Sequence, residues 1–135
     1  MRYLLLIYDE ESAATSPTTP APSEEDVTRV MGDYAAFTKE LRDRGVFEAG
    51  EALQSVASAS TVRLRQGETL ITDGPFMETK EALGGFYLLN CRDLDEALEF
   101  AAKCPGAQVG SIEIRPIWEV PSASADGAEE YSAAR

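Results

Sequence analysis

Residues 73–81 read Asp73-Gly74-Pro75-Phe76-Met77-Glu78-Thr79-Lys80-Glu81, three carboxylates, an aromatic ring and a lysine in one short stretch. A lysine beside carboxylates favours their ionised form and can itself hold an anion or, once desolvated, act as a base. Arg115, between Glu113 and Pro116, can clamp a carboxylate through two parallel N–H bonds. Histidine is absent, which removes the commonest general base and every Ser-His or Cys-His pair. Acid–base work therefore falls to Asp73, Lys80, Glu78, Glu81 or a tyrosine such as Tyr8. The expected site is one cleft with Asp73, Lys80 and Glu81 as catalytic candidates. Asp73, Phe76, Arg115 and Tyr8 are its ligand-contact candidates, for a small, carboxylate-bearing ligand.

The same residues also have a purely structural reading. Asp, Gly and Pro are the usual turn formers, so Asp73-Gly74-Pro75 makes a turn with Phe76 as an apolar plug. Lys80 and its neighbours then form weak surface pairs, and Arg115 a structural ion pair. Both readings stay open on residue types alone. Asp9-Glu10-Glu11 lacks the alternating ligand spacing of a calcium loop, so no metal is expected. Gly84-Gly85 is too short to cradle a phosphate and reads as a bulge or a close backbone approach. No cofactor is expected.

The elements that must position these groups follow from periodicity. Arg2 to Tyr8 is apolar on both alternating sets, a strand that needs cover on both faces. Residues 9–22 hold three prolines and no apolar period, a lid or unstructured loop. Ser23, followed by Glu24, Glu25 and Asp26, starts a helix over 23–44 with an apolar stripe from Val27 through Tyr34 and Phe37 to Leu41, ended by Gly45. Phe47 to Leu53 is a strand. Thr61–Arg65 and Thr69–Thr72 form a hairpin around Gln66-Gly67, with one wet face. Gly84 to Cys91 is a second doubly apolar strand. Asp93 caps a second helix that Pro105-Gly106 end, and Ile112, Ile114 and Trp118 alternate in a last strand. This order is a split βαβ, ferredoxin-like α+β plan with an extra β-hairpin. Its helices cover one sheet face, and a second subunit covers the other most economically, so a homodimer is expected.

The 135 residues predict one domain over 1–120, with a disordered Ser/Ala/acid tail at 121–135. Acids outnumber bases 24 to 12, a net charge of −12 that argues against nucleic acid and anionic membranes as partners. Cys91 and Cys104 are too few for a disulfide scaffold. No stretch approaches the roughly 18 apolar residues of a membrane span, and a cytoplasmic protein with reduced thiols is expected.

Val62–Gly67, the DGPF of 73–76, the ETKE of 78–81, Leu83–Phe86, Asp93–Ala97 and Glu113–Ile117 occur in order with tight spacing. This pattern closely resembles the DGPF-type branch of the bacterial YCII-related (YciI-like) family over roughly residues 1–120. The resemblance implies a ferredoxin-like subunit that dimerises into an α+β barrel. Shorter relatives carry a His–Asp pair suggested as catalytic, whose histidine half is missing here. DGPF-type proteins often stand beside extracytoplasmic-function sigma factors, so the resemblance also implies a signalling role. Two functions follow: a small-molecule binding or regulatory module with its ligand in a cleft near the dimer interface, or a low-turnover hydrolase or lyase using Asp73 with Lys80 or Arg115. The missing histidine favours the first.

Overall fold

A computed structural model describes residues 1–10 and 23–121. The loop expected over 9–22 starts later than that, since β1 runs on to Asp9; its residues 11–22, and residues 122–135 of the expected tail, fall outside the described residues. The elements are β1 (Arg2–Asp9), α1 (Glu24–Asp43), β2 (Phe47–Ala52), β3 (Ser60–Arg65), β4 (Glu68–Asp73), β5 (Ala82–Asn90), α2 (Leu94–Lys103) and β6 (Ser111–Pro116). The main sheet runs β2-β5-β1-β6, each neighbouring pair antiparallel, while β3 and β4 form a separate two-stranded ribbon inserted between β2 and β5. This is the ferredoxin-like α+β arrangement with an added hairpin.

Both helices begin where the capping residues put them. The Ser23 hydroxyl accepts from the Asp26 amide at 3.1 Å, and the Asp93 carboxylate accepts from the Glu96 amide at 2.9 Å. Acids fill both first turns, facing the positive end of the helix dipole. One core results, in which Tyr3, Leu5 and Ile7 of β1 and Tyr87 and Leu89 of β5 meet Phe37 and Leu41 of α1 and Ala97 and Phe100 of α2.

Alternate residues of the same strands face away from the helices. Cross-strand partners share a face, so Leu4 with Leu88 and Leu6 with Phe86 lie together on the other side of the sheet. They are half-buried in the single chain, and no described element lies over them. Register slips by one residue between Ile7 and Tyr8, where Gly84 is the extra residue of a bulge. Beside it Gly85 meets β2 closely: a Cβ there would lie 2.9 Å from the Glu51 carbonyl oxygen. The glycine pair is thus both a bulge and a close approach.

Three local expectations need correction. Val27, Val30 and Met31 of the α1 stripe are exposed: only Phe37 and Leu41 of the helix are buried, and Val30 lines a cleft between the helix and the sheet. The hairpin has no dry face: every residue of β4 is exposed. Phe76 is 69% exposed and plugs nothing.

Candidate functional site

A cleft of about 950 Å³ opens between α1 and the helix-facing side of β2 and β5. Tyr34, Phe37 and Thr38 line it from α1, Phe47 and Gly50 from β2, and Tyr87 from β5. Tyr87 is the hub of the wall. Phe37 meets its ring edge-on at 5.2 Å between centroids, and Phe47 at 6.2 Å. Its hydroxyl lies 2.7 Å from the Thr38 hydroxyl.

Glycines make the room. A Cβ on Gly50 would sit 2.8 Å from the Tyr87 ring, and one on Gly106 would sit 2.8 Å from the Tyr34 hydroxyl. Register puts Gly50 opposite Tyr87, so the strand carries no side chain where the ring needs space.

Burial raises the pKa of Tyr34, with the Cys104 thiol adding to the shift, and burial raises Tyr87 against the opposing hydrogen bond from Thr38. Both phenols are therefore neutral donors at physiological pH, suited to orienting a ligand and unsuited to removing a proton. Burial also pushes the Cys104 thiol up. Cations of the rim are already engaged: Lys103 bonds Glu40 at 2.8 Å, Arg29 lies 3.1 Å from Asp26, and the Arg42 guanidinium sits 4.7 Å over the Phe47 ring.

A second, shallower cleft of about 610 Å³ brings three of the sequence candidates together. Tyr8, Lys80 and Glu81 line it with Ser111 and Glu113. Ser111 donates to the Glu81 carboxylate at 3.3 Å, and Lys80, its side chain 87% exposed, lies 3.4 Å from Glu10. Asp73, Phe76 and Arg115 are not among its walls. Arg115 lies 3.8 Å from Glu113, a surface pair. Asp73 ends β4 and is exposed, not partly buried as a cleft role requires.

The turn chemistry of DGPF is explicit. Gly74 has φ +96°, a conformation that a side chain resists. Its amide donates to the Ala59 carbonyl at 2.7 Å, and Thr61 donates to the Gly74 carbonyl at 2.9 Å. Arg63 reaches the Phe76 carbonyl at 3.3 Å. The motif latches the root of the β3–β4 ribbon.

The sequence model of the YCII-related domain matches residues 1–121. The chain belongs to the YCII-related family. An uncharacterized protein of Rhizobium meliloti (strain 1021) is 42% identical to it over 119 residues, 87% of this chain and 92% of that one. Among solved structures, the chain is similar to the 5-chloro-2-hydroxyhydroquinone dehydrochlorinase TftG from Burkholderia phenoliruptrix AC1100, solved with 2,5-dihydroxybenzoquinone. That match has 14% identity and a TM-score of 0.46, over 87% of this chain and 94% of that one.

In this YCII-related protein, residue-type reasoning looked to the charged groups and passed over Tyr34, Thr38, Gly50 and Tyr87. The available signal was two tyrosines within apolar stripes. A buried phenol needs a partner for its hydroxyl, so a tyrosine where phenylalanine would fill the core marks a polar spot in the wall.

Proposed function

We propose that this YCII-related protein is a small-molecule binding or regulatory module whose ligand enters the cleft between α1 and the sheet. The observation that carries this reading is the wall around Tyr87: aromatic rings in edge contact, glycine-made space, and hydroxyls that stay protonated. A cleft of about 950 Å³ is the size that takes a metabolite. Turnover has less support. Asp73 is exposed at the ribbon's end, Lys80 faces Glu10 and Arg115 faces Glu113, so the proposed acid–base pairs lack a shared, desolvated cleft.

The protein acts as a homodimer in which two sheets meet through the faces bearing Leu4, Leu6, Phe86 and Leu88, closing the dimeric α+β barrel. Those half-buried apolar side chains support it, since one-sided cover leaves them wet. The ligand cleft lies on the helix side, so each subunit carries its own.

Saturation-transfer NMR with phenol and benzoate as probes tests the cleft. Ala36 is exposed on α1 and lines the cleft, so Ala36→Trp fills it without touching the core. Transfer to at least one probe in the native chain, lost in Ala36→Trp at unchanged melting temperature, is the expected result. No transfer in the native chain, or equal transfer in the variant, overturns the proposal.

A further inference from the structure

We infer that the cleft between α1 and the sheet takes an organic ammonium ion, a protonated amine on an aromatic or apolar body, with its charged end beside Asp9 and Asp33. The inference rests on the ligand cleft proposed above and names the class of its occupant, a cation in place of the carboxylate that residue types alone suggested.

Two separate elements bring the carboxylates to one end of the cleft. Ile7 and Asp9 stand two apart on β1, on the side that faces the helices, and both line the cleft. Asp33 precedes Tyr34 on α1 and lies three residues from Val30 and four from Phe37, so it shares their flank of the helix. Gly106 marks where strand and helix meet. A Cβ there would lie 2.8 Å from the Tyr34 hydroxyl and 2.9 Å from the Ile7 side chain. Neither Asp9 nor Asp33 has an ion-pair partner among the described residues.

Most other charges along the cleft cancel. Lys103 holds Glu40 at 2.8 Å, and Arg29 turns to Asp26 at 3.1 Å. Glu51 pairs in register with Phe86, which puts its side chain on the far side of the sheet. Arg42 is left, stacked 4.7 Å over the Phe47 ring, and is the seat an anion would take. Two open carboxylates against one arginine leave the cleft negative. The whole chain carries a net charge of −12, and its field draws cations and repels anions. The aromatic wall favours the same ligand, since a ring face attracts a cation through its quadrupole. Arg42 over Phe47 is that contact made within the chain. The neutral Tyr34 phenol oxygen can accept from an ammonium N–H.

The test titrates the full chain at about pH 7 and low salt with three probes of one shape, benzylamine, benzyl alcohol and benzoate, followed by saturation-transfer NMR. Ala36→Trp serves as the blocked cleft. Exposed charges act weakly in water, so the protonated amine is expected to bind about threefold to fivefold more tightly than the alcohol, and benzoate more weakly than both. The preference for the amine should vanish when Asp9→Asn and Asp33→Asn are combined. Both positions are exposed and outside the core, and asparagine keeps the acceptor that Asp9 offers the Glu10 amide at 2.7 Å. Benzoate or the alcohol binding as tightly as the amine, with Ala36→Trp abolishing that binding, overturns the ammonium class and leaves the cleft standing. An amine preference that survives the double substitution overturns the role of Asp9 and Asp33. Binding of none of the three probes, or binding that Ala36→Trp leaves unchanged, overturns the cleft and the class together.

Discussion

The hydroxyls of Thr38 and Tyr87 lie 2.7 Å apart, bonding the second half of α1 to an inner strand of the sheet at the wall of the cleft. Tyr87→Phe removes this bond and keeps the ring contacts with Phe37 and Phe47. It should lower stability by about 1 kcal/mol, the usual net worth of a neutral hydrogen bond. Urea unfolding with an unchanged slope measures it. A loss near zero would mean that water serves the Thr38 hydroxyl equally well.

Gly50→Ala should cost more, about 1–3 kcal/mol, because its Cβ would sit 2.8 Å from a ring held on two sides by Phe37 and Thr38. Releasing the tether should ease the clash. In a double-mutant cycle the combined Gly50→Ala, Tyr87→Phe variant should therefore lose less than the sum of the two single changes. Additive losses would show that the ring does not yield to the new methyl group.

Much of the scaffold is legible from local signals. Ser23 and Asp93 mark the helix starts because a cap needs one side chain and one amide three residues on. The doubly apolar runs at 2–8 and 85–91 become the two inner strands, each hydrogen-bonded along both edges. The cleft is not legible in this way. It depends on which face Gly50 and Tyr87 take, and that depends on register. Bulges between Phe47 and Ala49 and at Gly84 reset register mid-strand, and a one-residue slip moves every later side chain to the other face. Asp73 and Lys80 looked like one site because they are close in sequence, but Asp73 closes the ribbon whereas Lys80 reaches Glu10 near the end of β1.

Cys91 and Cys104 are 2% and 1% exposed, and burial raises both thiol pKa values. The thiolate is the reactive form. In native protein at about pH 8 neither should react with dithionitrobenzoate within minutes, and both should react promptly in denaturant. Prompt labelling of the native chain would show that α2 opens readily from the sheet.

Glu96 gives the pH dependence. Its side chain is 8% exposed and accepts from the Arg92 amide at 3.0 Å and from the Arg92 guanidinium at 2.8 Å. The Arg92 amide is the larger cause, and the guanidinium adds to it, holding the carboxyl below the usual glutamate range against the opposing effect of burial. A carboxyl whose pKa is lower folded than unfolded stabilises the protein above its unfolded pKa, about 4.3, and that contribution is lost as pH falls through the folded value. Glu119, bonded to Arg2, and Asp26, at the Ser23 cap, shift the same way, so the native chain should lose melting temperature on acidification below about pH 5. Glu96→Gln keeps an acceptor for the Arg92 amide and removes the charge. The variant should melt lower than the native chain at about pH 7, and the gap should narrow as pH falls below the unfolded value of about 4.3 and through the lower folded value. Melts followed by circular dichroism across that range measure the gap. A gap that stays constant with pH would mean that Glu96 acts through packing and shape, with its charge contributing nothing.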